Sequence, residues 1–278
     1  MAIQVSGTQV ISNSRGLTNI ASVDATTAAS ITAAGVGGGG LAFWNPASTP
    51  NATFTSSGTW TKPGGYSDST TVIFYIVGGG SSGSPYYGPS QGGPGGTANI
   101  IAGSMGDMPS SVSIVIGAGG AQQTTFGNPT THSNPGGLSS LSASGKTYTA
   151  LGGSSRSGRE NIANPEDATV IFPSITNPFS GFYPTPASAQ TGSNAAASGL
   201  TTDGRGSTFA GGNGGNCNPN VNGLGGVSVY GGNGGGGVYG GTGSAGSVPG
   251  GGGGGAYTTP SQIGGAGGNG NCRVYYIS

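Results

Sequence analysis

The sequence contains very little charge. Seven Lys or Arg residues and seven Asp or Glu residues among 278 give a formal net charge of zero. A neutral chain with so few cations lacks the electrostatic surface that phosphate backbones attract, so we expect no nucleic-acid partner. The same scarcity argues against simple disorder, because disordered chains usually stay solvated through their charge.

Cysteine, histidine and long apolar runs are also scarce. One histidine and two cysteines cannot supply the four ligands of a structural zinc site, so no metal is expected. Cys217 and Cys272 are too few for a disulfide framework. The longest compact apolar run, residues 72–77, is far shorter than a membrane span. No basic region followed by an apolar stretch marks a signal peptide at the N-terminus.

Glycine takes the place of the missing residue types: the chain has 64 glycines and 17 prolines. The glycines cluster irregularly, which excludes the strict three-residue period of collagen. They are densest in residues 203–278, where two interpretations stay open. One is a flexible linker. The other, favoured by runs of similar length and an apolar chain end, is a packed bundle of polyproline-II-like helices joined by lateral backbone hydrogen bonds.

Apolar patterning predicts about six strands. The segment TTVIFYIV at 70–77 has the continuous apolar character that is typical of a buried strand. The other candidates share alternating apolar or β-branched residues: 54–63, 97–103, 111–117, 146–152 and 271–278. We expect the last candidate, 271–278, to return and pair with an early strand, which would close a small β-sandwich.

The predicted fold class is mainly β, and composition divides the chain into four parts. Residues 1–40 form an N-terminal attachment element of short strands and a helix capped by Asp24. Residues 41–152 form a β-strand-rich domain, and residues 153–202 form a long irregular insertion. Residues 203–278 form the glycine-rich polyproline-II-type bundle with its closing C-terminal strand.

Several segments of the chain resemble the glycine-rich domains at the tips of bacteriophage tail fibres. They are GTWTKPGG at 58–65, VIFYIVGGG at 72–80, TTFG at 124–127 and the closing GGAGGNGNCRVYYIS. The resemblance to T-even-type long-tail-fibre adhesins implies a polyglycine-II sandwich that presents loops to a bacterial host. The N-terminal IQVSGTQVISNSRGLTNIASVDATT is similar to an element of tailed-phage fibre proteins. It is not of the fibre-docking type found in T-even adhesins, so their monomeric attachment is not implied.

The insertion at 153–202 contains the strongest candidates for recognition. It places arginines and aromatic residues on a proline-stiffened backbone, which loses little freedom on binding. The candidate receptor-binding residues are Arg156, Arg159, Phe172, Phe179, Phe182 and Tyr183. In the alternative interpretation these aromatics pack on the scaffold and only the charges face water. Weaker candidates in other loops are Tyr86, Tyr87, His132 and Tyr257.

The sequence contains short matches to catalytic motifs, but its high glycine content makes such matches expected by chance. Residues 79–83 read G-x-S-x-G, but the residues that follow cannot form the helix of a nucleophile elbow. Residues 144–147 read Ser-Gly-Lys-Thr, yet Ser140 stands where a P-loop requires its first glycine. We therefore expect no enzymatic activity, no catalytic residue and no cofactor.

The N-terminal element offers a surface for fibre attachment or self-association. Ile11 ends a short strand candidate, and Leu17, Ile20 and Ile31 follow near-helical spacing. Three such stripes meeting on one axis would make the homotrimer that is common among fibres. A monomer that folds the stripe onto its own sheet, or docks it to a fibre shaft, is the alternative.

Three functions are compatible with these features. The first is a virion adhesin, made in the host cytoplasm, that binds a bacterial surface protein loop or glycan through weak contacts multiplied by several copies. The second is a structural virion protein, such as a capsid decoration, connector or baseplate fibre, whose partners are other phage proteins. An ice-binding protein is a third, but this chain lacks the strict sequence repeat that such a protein is expected to have.

Overall fold

The computed structural model describes residues 3–5, 8–11, 48–86, 90–124, 133–143, 146–154, 204, 206–207, 209–257 and 262–277. The chain forms two units, Met1–Trp44 and Asn45–Ser278. The described strands, in chain order, are β1 (Ile3–Val5), β2 (Thr8–Ile11), β3 (Ala52–Phe54), β4 (Gly58–Thr61), β5 (Thr71–Val77), β6 (Pro85–Tyr86), β7 (Ala98–Ser104), β8 (Ser111–Val115), β9 (Ser139–Ala143), β10 (Lys146–Ala150), β11 (Cys217–Asn218), β12 (Val221–Asn222), β13 (Val238–Tyr239), β14 (Ala256–Tyr257) and β15 (Asn271–Ile277).

In the first unit, β1 and β2 pair as an antiparallel ribbon. Ile11 is the last residue of β2. The predicted helix after Asp24 and the stripe residues Leu17, Ile20 and Ile31 lie outside the described residues.

Two four-stranded antiparallel sheets form the base of the second unit. One sheet has the order β3-β15-β5-β7, and the other has the order β10-β9-β8-β4. The C-terminal strand β15 pairs along its full length with β5, from Asn271 opposite Val77 to Ile277 opposite Thr71. The expected return of the last strand to an early one is therefore confirmed, as is the mainly β fold class.

The two sheets enclose one apolar core. On β5, Val72, Phe74 and Ile76 face this core, as the period of two in a strand requires. The Trp60 ring meets the Phe74 ring edge-on at 5.3 Å, and its Nε1 donates a hydrogen bond to the Tyr276 hydroxyl at 2.7 Å. The remaining buried members are Met105, Val112, Ile114, Leu141, Ala150, Cys272 and Val274.

Extended glycine-rich segments, here called rods, continue from the strands and connect to one another. The described rods are 78–84, 91–97, 117–123, 133–138, 151–154, 210–216, 223–227, 231–237, 242–247, 250–255 and 262–270. The backbone bonds of the 78–84 rod show the arrangement. Its N–H groups donate to carbonyls of three neighbouring rods in turn. Gly78, Ser81 and Ser84 donate to Thr97, Pro94 and Gln91 of the 91–97 rod, and Gly79 and Ser82 donate to Gly137 and Asn134 of the 133–138 rod. Gly80 and Gly83 donate to Gly268 and Gly265 of the 262–270 rod.

Every third residue of this rod therefore faces the same neighbour. That period is the signature of a polyproline-II-type helix, which has three residues per turn and no internal hydrogen bonds. The 250–255 rod lies at the centre of the bundle and exchanges backbone hydrogen bonds with six others, namely 78–84, 91–97, 210–216, 231–237, 242–247 and 262–270. The buried N–H and C=O groups of this rod are thus paired laterally, as burial demands.

The structure differs from the predicted division of the chain at residue 203. Rods 78–84, 91–97 and 133–138 all arise within the predicted strand-rich domain, as connections between strands of the sandwich. Their glycine runs are too short to be recognised by composition. Short runs suffice because some rod positions accept a side chain. For example, the Ser82 Oγ accepts a hydrogen bond from the Asn134 N–H at 2.8 Å.

At the end of the bundle next to the sandwich, turns between rods cover the outer face of the sheet that contains β5. Tyr75 points away from the sandwich core, is fully buried, and donates its hydroxyl to the Phe209 carbonyl. The Arg273 guanidinium lies 5.8 Å from the centre of the Tyr75 ring and donates to the Tyr230 carbonyl at 3.2 Å. These part-buried contacts join the sandwich to the bundle.

The rods predict a sharp dependence of stability on side-chain size. A Cβ at Gly253 would lie 2.0 Å from the Gly265 carbonyl oxygen, whereas at Gly236 the nearest atom is the Gly223 oxygen at 3.2 Å. We expect Gly253→Ala to lower the free energy of unfolding by at least ~1–3 kcal/mol, because two rods must separate. Gly236→Ala should cost less than ~1 kcal/mol, because its neighbour needs to move only slightly.

Equilibrium denaturant unfolding measures both effects, with Gly64→Ala as the reference outside the rods. A Cβ at Gly64 meets nothing within 4 Å. Equal stability of the Gly253→Ala and Gly64→Ala variants would contradict the packed bundle.

Candidate functional site

The rods place a set of turns at the end of the bundle far from the sandwich. The 78–84 rod leaves β5 at Gly78, and its other end is marked by the bond from the Ser84 N–H to the Gln91 carbonyl. The 250–255 rod runs parallel to it, since Gly253 donates to Ser81 and Ala256 donates to Ser84. We call this far end the tip. Its described residues are 84–86, 90–91, 216–223, 237–242, 255–257 and 262.

A small parallel sheet brings three tyrosines together at the tip. It has the strand order β13-β14-β6, with two residues in each strand. The register places Tyr239 opposite Tyr257, and Tyr257 opposite Tyr86. Because residues opposite one another in register share a face of the sheet, these three positions form a row across the tip, here called the tyrosine row.

The described rings of the row are stacked. The Tyr239 and Tyr257 ring centres lie 5.3 Å apart with an angle of 23° between the ring planes. Tyr239 is 37% exposed, and Tyr257 is half-buried. The stack therefore offers a rigid aromatic surface to solvent, fixed by the backbone of two rods.

A hairpin of β11 and β12 borders the row. Asn220 occupies its turn in the left-handed region, with φ of 62°. Asn residues tolerate this conformation better than most others do. The Tyr239 N–H donates to the Asn222 Oδ1 at 2.6 Å, which links the hairpin to the tyrosine row. Paired backbone bonds between Cys217 and Ser90, both at 2.9 Å, tie it to the neighbouring rod.

The described part of the tip is polar and carries no charged residue. Its described residues are Ser, Gln, Asn, Pro, Gly, Ala, Val, Thr, Tyr and Cys, with no Asp, Glu, Lys or Arg among them. Asn220, Val221 and Asn222 are exposed on the hairpin. Such a surface can form hydrogen bonds and stacking contacts, but it exerts little long-range attraction on a charged partner.

Cys217 lies buried beneath the hairpin. Burial raises the pKa of its thiol to about 11, and a hydrogen bond with Ser90 opposes this rise. The thiol is therefore protonated at neutral pH and is a poor nucleophile. Cys272, the other free cysteine, is buried in the sandwich core.

The structure describes only part of the predicted recognition set. Tyr257 lies in the tyrosine row, and the backbone of Tyr86 lies beside it. The predicted residues outside the described parts of the chain are Tyr87, His132, Arg156, Arg159, Phe172, Phe179, Phe182 and Tyr183. Of the predicted insertion, only Gly153 and Ser154 lie within the described residues. Gly204 follows the insertion, and its N–H donates a hydrogen bond to the Leu224 carbonyl at 2.7 Å.

Sequence reasoning missed Tyr239 and Asn222. A usable signal for Tyr239 is present, because Pro85-Tyr86, Val238-Tyr239 and Ala256-Tyr257 each pair a small residue with a tyrosine at the end of a rod. Asn222 carries no such signal. Its role depends on a contact with a strand that is distant in sequence.

The G-x-S-x-G match lies inside the 78–84 rod. The Ser81 hydroxyl is buried there and contacts the Pro94 carbonyl at 3.3 Å. Among the described residues, no three His, Cys, Asp or Glu side chains come together in a way that could hold a metal ion. Over the same residues, no helix has the length and apolarity needed to cross a membrane.

Compared with known protein families, residues 51–277 match a family model described as a glycine-rich domain. No curated protein matches the chain.

The burial of Cys217 predicts how thiol reagents report on the tip. In a Cys272→Ala variant at pH 8, an aromatic disulfide reagent should label Cys217 at least ~100-fold more slowly than a free thiol, because its pKa is about 11 rather than 9.0. The stability that the protonated thiol contributes should be complete below pH 9.0 and decline as the pH rises towards 11.

Full reactivity should return in denaturant. Absorbance of the released thiol follows the reaction, and a Cys217→Ala variant reports Cys272 as the control. Labelling of the native protein at the rate of a free thiol would mean that the hairpin is open in solution.

Proposed function

The chain belongs to the glycine-rich domain family, and we propose that it is a non-enzymatic adhesin of a phage tail fibre. In this proposal the rods form a rigid support, and the tip binds a receptor on the bacterial outer surface. The protein is then a virion component made in the host cytoplasm, and its other partners are phage fibre or tail proteins.

The observation that carries this proposal is the convergence of aromatic residues at the end of the bundle. Tyr239 and Tyr257 stand on separate rods, yet their rings stack at 5.3 Å. A binding surface pays less conformational entropy when its side chains and backbone are already fixed, and this increases affinity per contact. The bundle provides that fixation through its backbone hydrogen bonds, which leave the Tyr239 side chain 37% exposed.

The similarity of several chain segments to phage fibre tips supports the biological setting. Tail fibres act in several copies, so weak contacts at each tip add to strong attachment. Attachment of this kind requires no covalent step. The absence of charge from the described tip also fits a contact that depends on shape and hydrogen bonds.

Competition with infecting phage tests the proposal. Purified full-length protein should reduce phage adsorption to susceptible cells, because it occupies the same receptor. A variant in which residues 156–186 are replaced by a short Gly/Ser linker should lose this competition, because the insertion contains the predicted arginine and aromatic contacts. Residual free phage, counted after a fixed time, gives the measurement.

The control is the unfolding midpoint of the linker variant, which should match that of the parent. A full-length protein that folds but does not compete would support the structural virion protein instead. A linker variant that competes as well as the parent would restrict recognition to the tip described above.

We also propose that the protein assembles as a homotrimer through residues 1–40. Light scattering should give three times the chain mass for the full protein and one chain mass after removal of residues 1–40. The shortened protein should unfold at an unchanged denaturant concentration, because Asn45–Ser278 forms a separate unit. A monomeric full-length protein would refute the trimer without affecting the adhesin proposal.

A further inference from the structure

We propose that the tyrosine row and the adjoining hairpin form a subsite for an uncharged sugar ring. This inference rests on the proposed adhesin function and specifies its ligand class. The subsite consists of the Tyr239–Tyr257 stack, with Asn220 and Asn222 at its border.

The Tyr239 ring is held by its stack on the Tyr257 ring, with 23° between the ring planes, and it is 37% exposed. The face of an aromatic ring is electronegative. The C–H groups on one face of a pyranose ring carry partial positive charge, so this face can lie on an aromatic ring while the hydroxyls point outward.

The hairpin gives the stack a polar border. Sugar hydroxyls donate and accept hydrogen bonds, and a side-chain amide offers both functions in one group. Asn220 is exposed at the hairpin turn, and the 2.6 Å bond from the Tyr239 N–H to the Asn222 Oδ1 fixes the hairpin against the stack. Polar groups placed around an apolar surface are what orient a small ligand.

The described residues of the tip carry no charge, since none of them is Lys, Arg, Asp or Glu. An acidic sugar or a phosphate group would find no cation among these residues. An uncharged sugar needs none, so it is the class of sugar that this part of the tip fits best.

The test uses methyl glycosides of glucose, galactose, mannose and N-acetylglucosamine, with glucuronic acid as the charged comparison. Saturation-transfer NMR on the full-length protein should show transfer to the C–H protons of at least one neutral glycoside. Tyr239→Ala should weaken that binding roughly tenfold, because one face of the stack is lost. Tyr239→Phe should retain it, because the ring remains.

Tyr66→Ala is the matched control. Tyr66 is 42% exposed and makes an edge contact with Tyr276, so the variant removes a similarly exposed, ring-contacting tyrosine from the sandwich rather than the tip. Its sugar binding should equal that of the parent. Each variant is compared at the same folded fraction, measured by circular dichroism.

The outcomes separate this inference from the proposed function. If the protein competes with phage but shows no transfer to any neutral glycoside, the sugar subsite is wrong and the adhesin stands. The same conclusion follows if protease treatment of cells abolishes binding while periodate treatment does not, because the receptor is then a protein. If glycosides bind through Tyr239 but the protein never competes with phage, the subsite stands and the adhesin proposal fails.

Discussion

The lateral hydrogen bond between glycine backbones is the interaction on which this structure depends. A polyproline-II-type helix has no internal hydrogen bonds, so a buried rod must find partners on its neighbours. Those partners lie so close that a side chain is excluded at most positions. A Cβ at Gly83, for example, would fall 1.9 Å from the Gly254 carbonyl oxygen. The high glycine content and the scarcity of large apolar residues are thus two consequences of one packing arrangement.

Asparagine extends the same bonding pattern through its side chain. Four Gly-Gly-Asn triplets occur in the rods, and in each the Asn Oδ1 accepts a backbone N–H. The bonds are Gly95 to Asn213 at 2.9 Å, Gly92 to Asn216 at 3.0 Å, Ser228 to Asn233 at 2.8 Å and Gly119 to Asn269 at 2.8 Å. These asparagines stabilise the bundle, because each amide oxygen accepts a backbone N–H of the scaffold. At the hairpin, the Asn222 Oδ1 likewise accepts the Tyr239 N–H at 2.6 Å.

Sequence patterns predicted the parts of the fold whose signal is local. The apolar runs of β5 and β15 predicted both strands, and the last strand was expected to pair with an early one, which the structure identifies as β5. Strand β9 was missed because Leu141 is the only large apolar residue in Ser-Ser-Leu-Ser-Ala. The rods between the sandwich strands were missed for a different reason. A run of two or three glycines defines a rod only through neighbours that are far away in sequence, as Gly92 and Asn216 are.

The same constraint explains why the tip is the part of the bundle that can specialise. Within a rod, a residue that faces a neighbour must leave room for a carbonyl oxygen, so its identity is fixed by packing. At a turn the chain leaves the lateral network, and side chains meet solvent instead of backbone. Gly240 shows the transition: its φ is +76°, and a Cβ there would meet no atom within 4 Å. A substitution at Gly240 is therefore limited by the left-handed backbone conformation and not by lack of space. The rods hold the tyrosines next to such turns in position, and Tyr239 remains 37% exposed. Packing therefore restricts a residue within a rod more than an exposed side chain at a turn, and such a side chain can change with less effect on the scaffold that supports it.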